Sequence, residues 1–495
     1  MLGGSVAKNP YDRIPYTDHA YAESHPDRLR VVARLSGWQA PDVPSARVLE
    51  LGCGRGGNLL PMAAGLPTGT FVGVDRSPRQ VEEARRIASE TRTGNVRLHE
   101  ADFESFKPAE GAFDYVIAHG VCSWVSPPIR RALLRTVARA LAPRGVAYVS
   151  FNVLPGWYER LAARDWLRFD CDDASGAATS LRWLRDQVSP ELPAYRARLA
   201  GVADRLDATG VAYAAHEYLA EDHHPQRVEE FLAEAADVGL TYVGDAIAAN
   251  TAIELLPEAV AARVRDFEPA RVQQTIDFVR NTAFRRTLLV RSDQAREQGW
   301  RWSARLDASA VESLRLASRL RAISGAGSAG PETFESDGVR VHVVHSGARR
   351  ALHALAERAP RSALFDELAQ GMDSAARVAL REELFDLWLA TGAIELRTFE
   401  PPIADGNSLR PRACPVARWH AANGGAITNR RHHEVRLLER ATLSVLACLD
   451  GAHDAADLRT ALRDAVASDT ASDFELDTVV TAAVAQLAAA ALLVS

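Results

Sequence analysis

The stretch ARVLELGCGRGG at residues 46–57 constrains this chain more than any other, because four glycines fall in the six residues that follow a short apolar run. Val48–Leu49–Glu50–Leu51 reads as a buried strand, Gly52, Gly54, Gly56 and Gly57 as the turn leaving it, and NLLPMAAGL as the helix beyond. Glycines gather where a backbone must turn sharply or where something approaches it closely. A strand, a glycine turn and a helix also bring backbone N–H groups and a positive helix end to one spot, which suits a nucleotide-like cofactor. Gly52, Gly54 and Gly57 satisfy G-x-G-x-x-G, the dinucleotide pattern, so the cofactor stays open at this point.

The segments that follow alternate in type. GTFVGVDRSP is a second strand ending at Asp75, an acid placed to accept both ribose hydroxyls of an adenosine. Ser77 is a natural N-cap, with Pro78 at the first helical position of SPRQVEEARRIASET. NVRLHEADF is a third strand running into Asp102–Phe103, FDYVIAHGV a fourth, residues 127–141 a helix with Ile129, Leu133, Val137 and Leu141 on one face, and GVAYVSFNV a fifth strand. Strands alternating with helices predict a parallel, doubly wound α/β sheet. VEEFLAEAADVGLTYVGDA then gives another helix and strand, and AFRRTLLVRS a lone strand with no crossover helix of its own.

That lone last strand, read as antiparallel, resembles class I S-adenosylmethionine (SAM) methyltransferases rather than nicotinamide dehydrogenases, across roughly 40–156 and 216–292. Glu50 before the glycines and the pair Asp102–Phe103 belong to the same pattern. The resemblance implies roles. Glu50 lies near the SAM amino group or orders the turn, and Gly52, Gly54 and Gly56 let it pass close to methionine and ribose. Asp75 takes the ribose hydroxyls, Asp102 the adenine amine, and Phe103 packs on the adenine face. Cys53, Asn58 and Arg76 complete the cofactor set, and His119 lies beside the sulfonium end.

Methyl transfer asks for alignment and the exclusion of water more than for acid–base chemistry. An amine acceptor must still lose a proton, against a lysine reference pKa of about 10.4; apolar burial lowers that value and aromatic faces hold the cation. Trp124, Trp157 and Tyr158 follow strands four and five, and Tyr11, Tyr16 and Tyr21 stand in the N-terminal segment 1–39, expected to act as a lid. The sequence offers no unambiguous general base.

Further stretches sharpen the resemblance: NPYDRIPYTDHAYAESHPDRL at 9–29, IAHGVCSWV, SFNVLPGWY, HEYLAEDHHPQRVEEFLAEAADVGLTYVGDA and CPVARWHAANGGAITNRRH at 414–432. Together they are similar to bacterial methyltransferases carrying a methyltransferase regulatory domain, a group that includes protein lysine methyltransferases acting on outer-membrane proteins. This implies a SAM cofactor (S-adenosylhomocysteine as product) and methylation of an acceptor nitrogen, with protein lysine the first expectation. A small-molecule methyltransferase and a SAM-binding scaffold without turnover are the alternatives. His119, Asn152, Trp157 and Tyr16 are expected on the acceptor side.

The remaining chain reads as accessory. Tyr195, Leu199, Val202 and Leu206 mark an amphipathic helix inside a helical insertion at 157–215, which covers the acceptor or forms a homodimer contact. Residues 254–281 read as a second helical insertion. Residues 293–330 read as a helical connector whose small-residue run SGAGSAGP marks a domain boundary. Two helix-rich blocks, 331–402 and 403–495, then resemble winged-helix modules. A winged helix often reads DNA, but the second block is acidic, without the cationic cluster that phosphate demands, and the net charge is −6. Protein docking is expected, without nucleic acid. His223–His224 and His432–His433 lack the partners of a metal site. Five cysteines without C-x-x-C spacing, no apolar leader and no run of about 18 apolar residues predict a cytoplasmic protein without a membrane span.

Overall fold

The computed structural model describes residues 18–324, 330–336, 338–436, 439–466 and 472–494. Tyr11 and Tyr16 lie outside the described residues.

A seven-stranded sheet organises the first 291 residues. Its strands are β1 (Arg47–Leu51), β2 (Thr70–Asp75), β3 (Val96–Glu100), β4 (Phe113–Ala118), β5 (Leu141–Asn152), β6 (Leu240–Asp245) and β7 (Phe284–Arg291). The spatial order is β3-β2-β1-β4-β5-β7-β6. Strands β1 to β5 pair in parallel, and β7 runs antiparallel between β5 and β6, Asn152 facing Phe284. Helices on both faces explain why Val48, Leu49, Glu50 and Leu51 are all buried: a central parallel strand shows no polar face. The flanking helices nearest the site are α1 (Pro26–Leu35), α2 (Leu59–Gly65), α3 (Pro78–Glu90) and α4 (Pro127–Ala140). Ser77 caps α3 as its sequence demands, accepting the Gln80 N–H at 3.2 Å.

Between β5 and β6 stand helices Tyr158–Asp170, Ala177–Gln187 and Pro193–Thr209, then a π-helical turn at Ala215–Leu219. Leu199, Val202 and Leu206 pack inward there on Leu167 and Leu181. Helices Glu258–Val264 and Pro269–Arg280 precede β7. Arg285 of β7 is buried under the second of these, with Asp277 Oδ1 at 2.9 Å from its Nε and Gln273 Oε1 at 2.8 Å from Nη1.

The connector 293–330 differs from its sequence reading. It carries strands Arg315–Ser318 and Arg321–Ser324 besides helical turns. Arg321–Ser324 pairs antiparallel with Glu332–Ser336, so the strands flanking the small-residue run form one hairpin, and that run does not separate two domains. Arg315–Ser318 is the middle strand of a three-stranded sheet with Ala363–Leu364 and Ile394–Arg397, which assigns it to the module that follows. The C-terminal module holds helices Pro415–Asn423, Arg440–Cys448, Ala455–Val466 and Asp473–Ala489. Its apolar core runs without a break into the half that carries the central sheet, where Leu60 of α2 and Ile87 of α3 pack with Ala413, Leu446 and Leu487. No helix among the described residues is long and apolar enough to cross a membrane.

Candidate active site

The C-terminal ends of β1 to β5 bring the expected residues to one edge of the sheet, the usual ligand crevice of an open α/β fold. At the end of β1, Glu50 is 3 % exposed. Its Oε1 accepts the Asn58 side-chain N–H at 2.7 Å, while Oε2 is buried without a partner among the described residues. Burial, opposed by the Asn58 bond and reinforced by the charge of Asp75, pushes the Glu50 pKa up to about 8.

The glycine turn is packed from within. Gly52 lies at φ +79°, and a Cβ there would come within 2.4 Å of Val121. At Gly57 a Cβ would strike Asp18 at 2.7 Å. Much of the demand for glycine therefore comes from the chain's own close approach. The N–H groups of Gly52 and Cys53 donate to Val74 O, that of Gly54 to Asp75 Oδ2 at 2.9 Å, and that of Gly56 to Cys53 O. Those four donors are therefore engaged in holding the turn against β2 and against itself.

Asp75 accepts the Gly54 and Ser77 N–H groups, both at 2.9 Å, one on each carboxylate oxygen. The Arg76 N–H also acts on this carboxylate, which still has acceptor capacity for a ligand hydroxyl. Arg76 next to it is exposed. Beyond β3, Asp102 is exposed and its Oδ1 accepts the N–H groups of Glu104 and Ser105, at 3.0 and 2.6 Å; Phe103 is half-buried against the core. Cys53 is buried, and burial drives its thiol pKa upward. Asn58 is buried with its amide fully engaged: Oδ1 accepts from Tyr21 N at 2.9 Å and His432 Nε2 at 2.8 Å, and Nδ2 donates to Ser24 Oγ and Glu50. It is a hub behind the crevice rather than a free ligand group.

His119 follows β4. The Tyr21 ring stacks on it, centroids 3.5 Å apart, and its Nδ1 lies 2.8 Å from the Tyr148 hydroxyl. Burial, with the Arg286 guanidinium adding to it, lowers the His119 pKa to about 3, so the ring is neutral and serves as an aromatic floor.

Past β5 lies a cluster of packed aromatic rings. Asn152 Nδ2 lies 3.1 Å from His223 Nε2. An amide nitrogen only donates, so the proton of the neutral His223 ring sits on Nδ1, which is buried and unpartnered. The His223 ring stands between Trp124 and Trp157, at 4.5 and 4.2 Å between centroids. Trp157 is fully buried and its Nε1 has no partner among the described residues; the same holds for the buried Tyr218 hydroxyl. On the same π-helical turn as Tyr218, Glu217 accepts from Arg164 Nη1 at 3.2 Å through its backbone oxygen, and burial, opposed by the Arg160 and Arg164 charges, pushes its carboxyl pKa up to about 7. Its charge reaches Tyr21 on one side, and the Arg160 and Arg164 guanidinium groups on the other.

Sequence reasoning missed Glu217 and Tyr218, although HEYLAEDHH had marked the segment; the signal was an acid beside an aromatic, on a turn type that recurs at functional sites. His223–His224 lie in a loop and His432–His433 in a tight turn, and no group among the described residues could hold a metal ion.

This strand order, with glycine turn and strand-end acids in register along one edge, defines a class I methyltransferase. Residues 48–145 match a methyltransferase domain, 211–291 a predicted methyltransferase regulatory domain, and 410–492 the C-terminal winged helix domain of PKMT. The regulatory match covers β6 and β7, so it is part of the central sheet. Uncharacterized protein RP028 of Rickettsia prowazekii is 30% identical over 235 residues, covering 46% of this chain and 94% of that protein. RP789 of the same organism is 33% identical over 299 residues, 59% of this chain; the chain spans about half of its length, 54%. The structure of PKMT2 from Rickettsia typhi in complex with AdoHcy matches the fold at a TM-score of 0.85 and 24% identity, over 97% of this chain and 100% of that one. The chain belongs to the SAM-dependent methyltransferases that join a methyltransferase domain to a regulatory domain and a PKMT-type winged helix.

Proposed function

We propose that the protein methylates the ε-amine of lysine in a protein substrate. The observation that carries this reading is the aromatic cluster beyond β5, where the His223 ring packs against Trp124 and Trp157, the Arg160 guanidinium lies 5.2 Å from the Trp157 ring, and Trp157 Nε1 and the Tyr218 hydroxyl are buried without partners among the described residues. Ring faces hold an ammonium group, and unpartnered buried polar atoms are costly unless a ligand engages them.

The residues of the first crevice fit SAM. The orphan Oε2 of Glu50 suits a cationic amino group, the open lone pairs of Asp75 suit ribose hydroxyls, and Asp102 with Phe103 suits adenine. When bound, SAM supplies a methyl group already activated on a sulfonium. The protein has three remaining tasks. Trp124, Trp157 and His223 orient the amine, with Asn152 fixing the His223 ring. Glu217, ionising near neutrality, accepts the proton that the ammonium must lose. Tyr21, stacked on His119, helps exclude water from the transfer path. The C-terminal modules position the substrate protein.

Labelled-methyl transfer from SAM into a lysate, followed by separation of protein from small molecules, tests the reading. Label on protein lysines is expected; label confined to the small-molecule fraction would overturn it.

A further inference from the structure

We propose that His432 of the C-terminal module is a positioning residue of the cofactor site, acting through Asn58 on Glu50. The inference rests on the cofactor reading above and adds that the winged-helix module is a working part of the crevice.

The turn Asn429–His433 is built rigidly onto the end of the module's last helix. Asn429 Oδ1 accepts the N–H groups of Arg431 and His433, its Nδ2 donates to Ala490 O at 3.0 Å, and the Arg430 N–H donates to Ala491 O at 2.9 Å. His432 holds the left-handed conformation, φ +62°, which few residues other than glycine adopt without support. From this turn two side chains grip α2 at both ends. Arg430 Nη1 and Nη2 donate to Ala64 O at 3.0 Å and Gly65 O at 3.3 Å, where α2 stops. His432 Nε2 meets Asn58 Oδ1 at 2.8 Å, where α2 begins.

Donor and acceptor roles in this contact are fixed by its neighbours. The backbone N–H of Tyr21 also points at the Asn58 side chain, at 2.9 Å, and can only donate. The oxygen of the amide therefore faces Tyr21 and His432, and His432 Nε2 must carry the proton. Burial holds the His432 pKa near 3, so the ring is neutral and has one N–H to give. With its oxygen held by these two donors, the amide turns its nitrogen to Glu50 Oε1 at 2.7 Å. That bond leaves Oε2 as the oxygen facing a ligand. A residue 374 positions from Asn58 in sequence thus orients, through that amide, the acid that meets the amino group of the cofactor.

Removing the ring leaves a buried amide oxygen short of a donor, which weakens cofactor binding roughly tenfold. Coupling between sites is reciprocal, so the cofactor also tightens the module's turn.

Calorimetry of S-adenosylhomocysteine binding to the full chain tests this. His432→Ala should raise Kd about tenfold, and His432→Gln, whose amide N–H can reach Asn58, should return it to within about threefold of the unsubstituted protein. The acceptor KM should not move in either variant. Both side chains meet the same left-handed backbone, so their difference isolates the donor. Equal affinity of His432→Ala and the unsubstituted protein, or no recovery in His432→Gln, would overturn the proposal. Should His432→Ala fail to fold, hydrogen exchange of the unsubstituted protein decides: ligand-induced slowing at 429–433 supports the proposal, and unchanged exchange there refutes it. Failure of the unsubstituted protein to bind S-adenosylhomocysteine at all would strike the cofactor reading itself, and this inference with it.

Discussion

Glu50 gives the most quantitative handle on the crevice. With its pKa near 8, the carboxyl is about nine-tenths protonated at pH 7 in the free protein. A cationic amino group arriving at the orphan Oε2 favours the ionised form. Binding at pH 7 should then release about 0.9 of a proton, falling to about half a proton at pH 8. Affinity should rise close to tenfold between pH 6 and pH 7 and level off above about 8. The assay is titration calorimetry with S-adenosylhomocysteine in buffers of different ionisation enthalpy. Glu50→Gln should abolish the proton release and, above pH 8, weaken binding roughly 10- to 100-fold, the usual worth of a hydrogen bond to a charged group. The stability of the free protein carries the opposite sign. A carboxyl raised above its ordinary 4.5 binds more protons folded than unfolded, so stability falls as pH climbs from about 4.5 to about 8. Glu50→Gln should flatten that slope. A binding enthalpy at pH 7 that is the same in every buffer, or a Glu50→Gln variant that binds normally, would refute the reasoning.

Three other substitutions probe separate parts of the account. Glu217→Gln should lower turnover about 100-fold and erase a rising limb of the pH–rate profile centred near 7, with S-adenosylhomocysteine affinity unchanged; an unaltered profile would remove Glu217 from proton transfer. Because Trp157 is fully buried, Trp157→Phe is the informative change: it keeps the ring face and deletes the unpartnered Nε1, and should raise the acceptor KM several-fold while sparing cofactor affinity. Asp277→Asn leaves the buried Arg285 without its counter-charge and should cost about 3–5 kcal/mol in urea unfolding.

The nucleotide-binding half was legible because its signals are local. Val48–Leu51 is apolar on both faces, Asp75 closes a β-branched run, and Ser77–Pro78 starts a helix in the only way that pair can. What escaped the reading depends on partners distant in sequence. Arg315–Ser318 is four residues long and becomes a strand only by pairing with Ala363–Leu364 and Ile394–Arg397, so no periodicity announces it. The small-residue run at 324–331 has the composition of a linker, and only the pairing of Arg321–Ser324 with Glu332–Ser336 shows that the strands flanking it belong to one sheet. Asn58 reads as a turn residue; its hub role depends on Tyr21, Ser24, Glu50 and His432 converging from four segments. Gly52, Gly54 and Gly56 were read as space for a ligand, whereas the atoms nearest a Cβ there belong to Val121, Gln80 and Leu60.

The most direct trial of the account is a diffraction structure with S-adenosylhomocysteine and a lysine peptide bound together. The account places the adenosine ribose at Asp75, the amino group at Glu50 and the peptide amine among Trp124, Trp157, His223 and Glu217. A peptide amine seated elsewhere, or a cofactor that leaves Glu50 and Asp75 untouched, would contradict it.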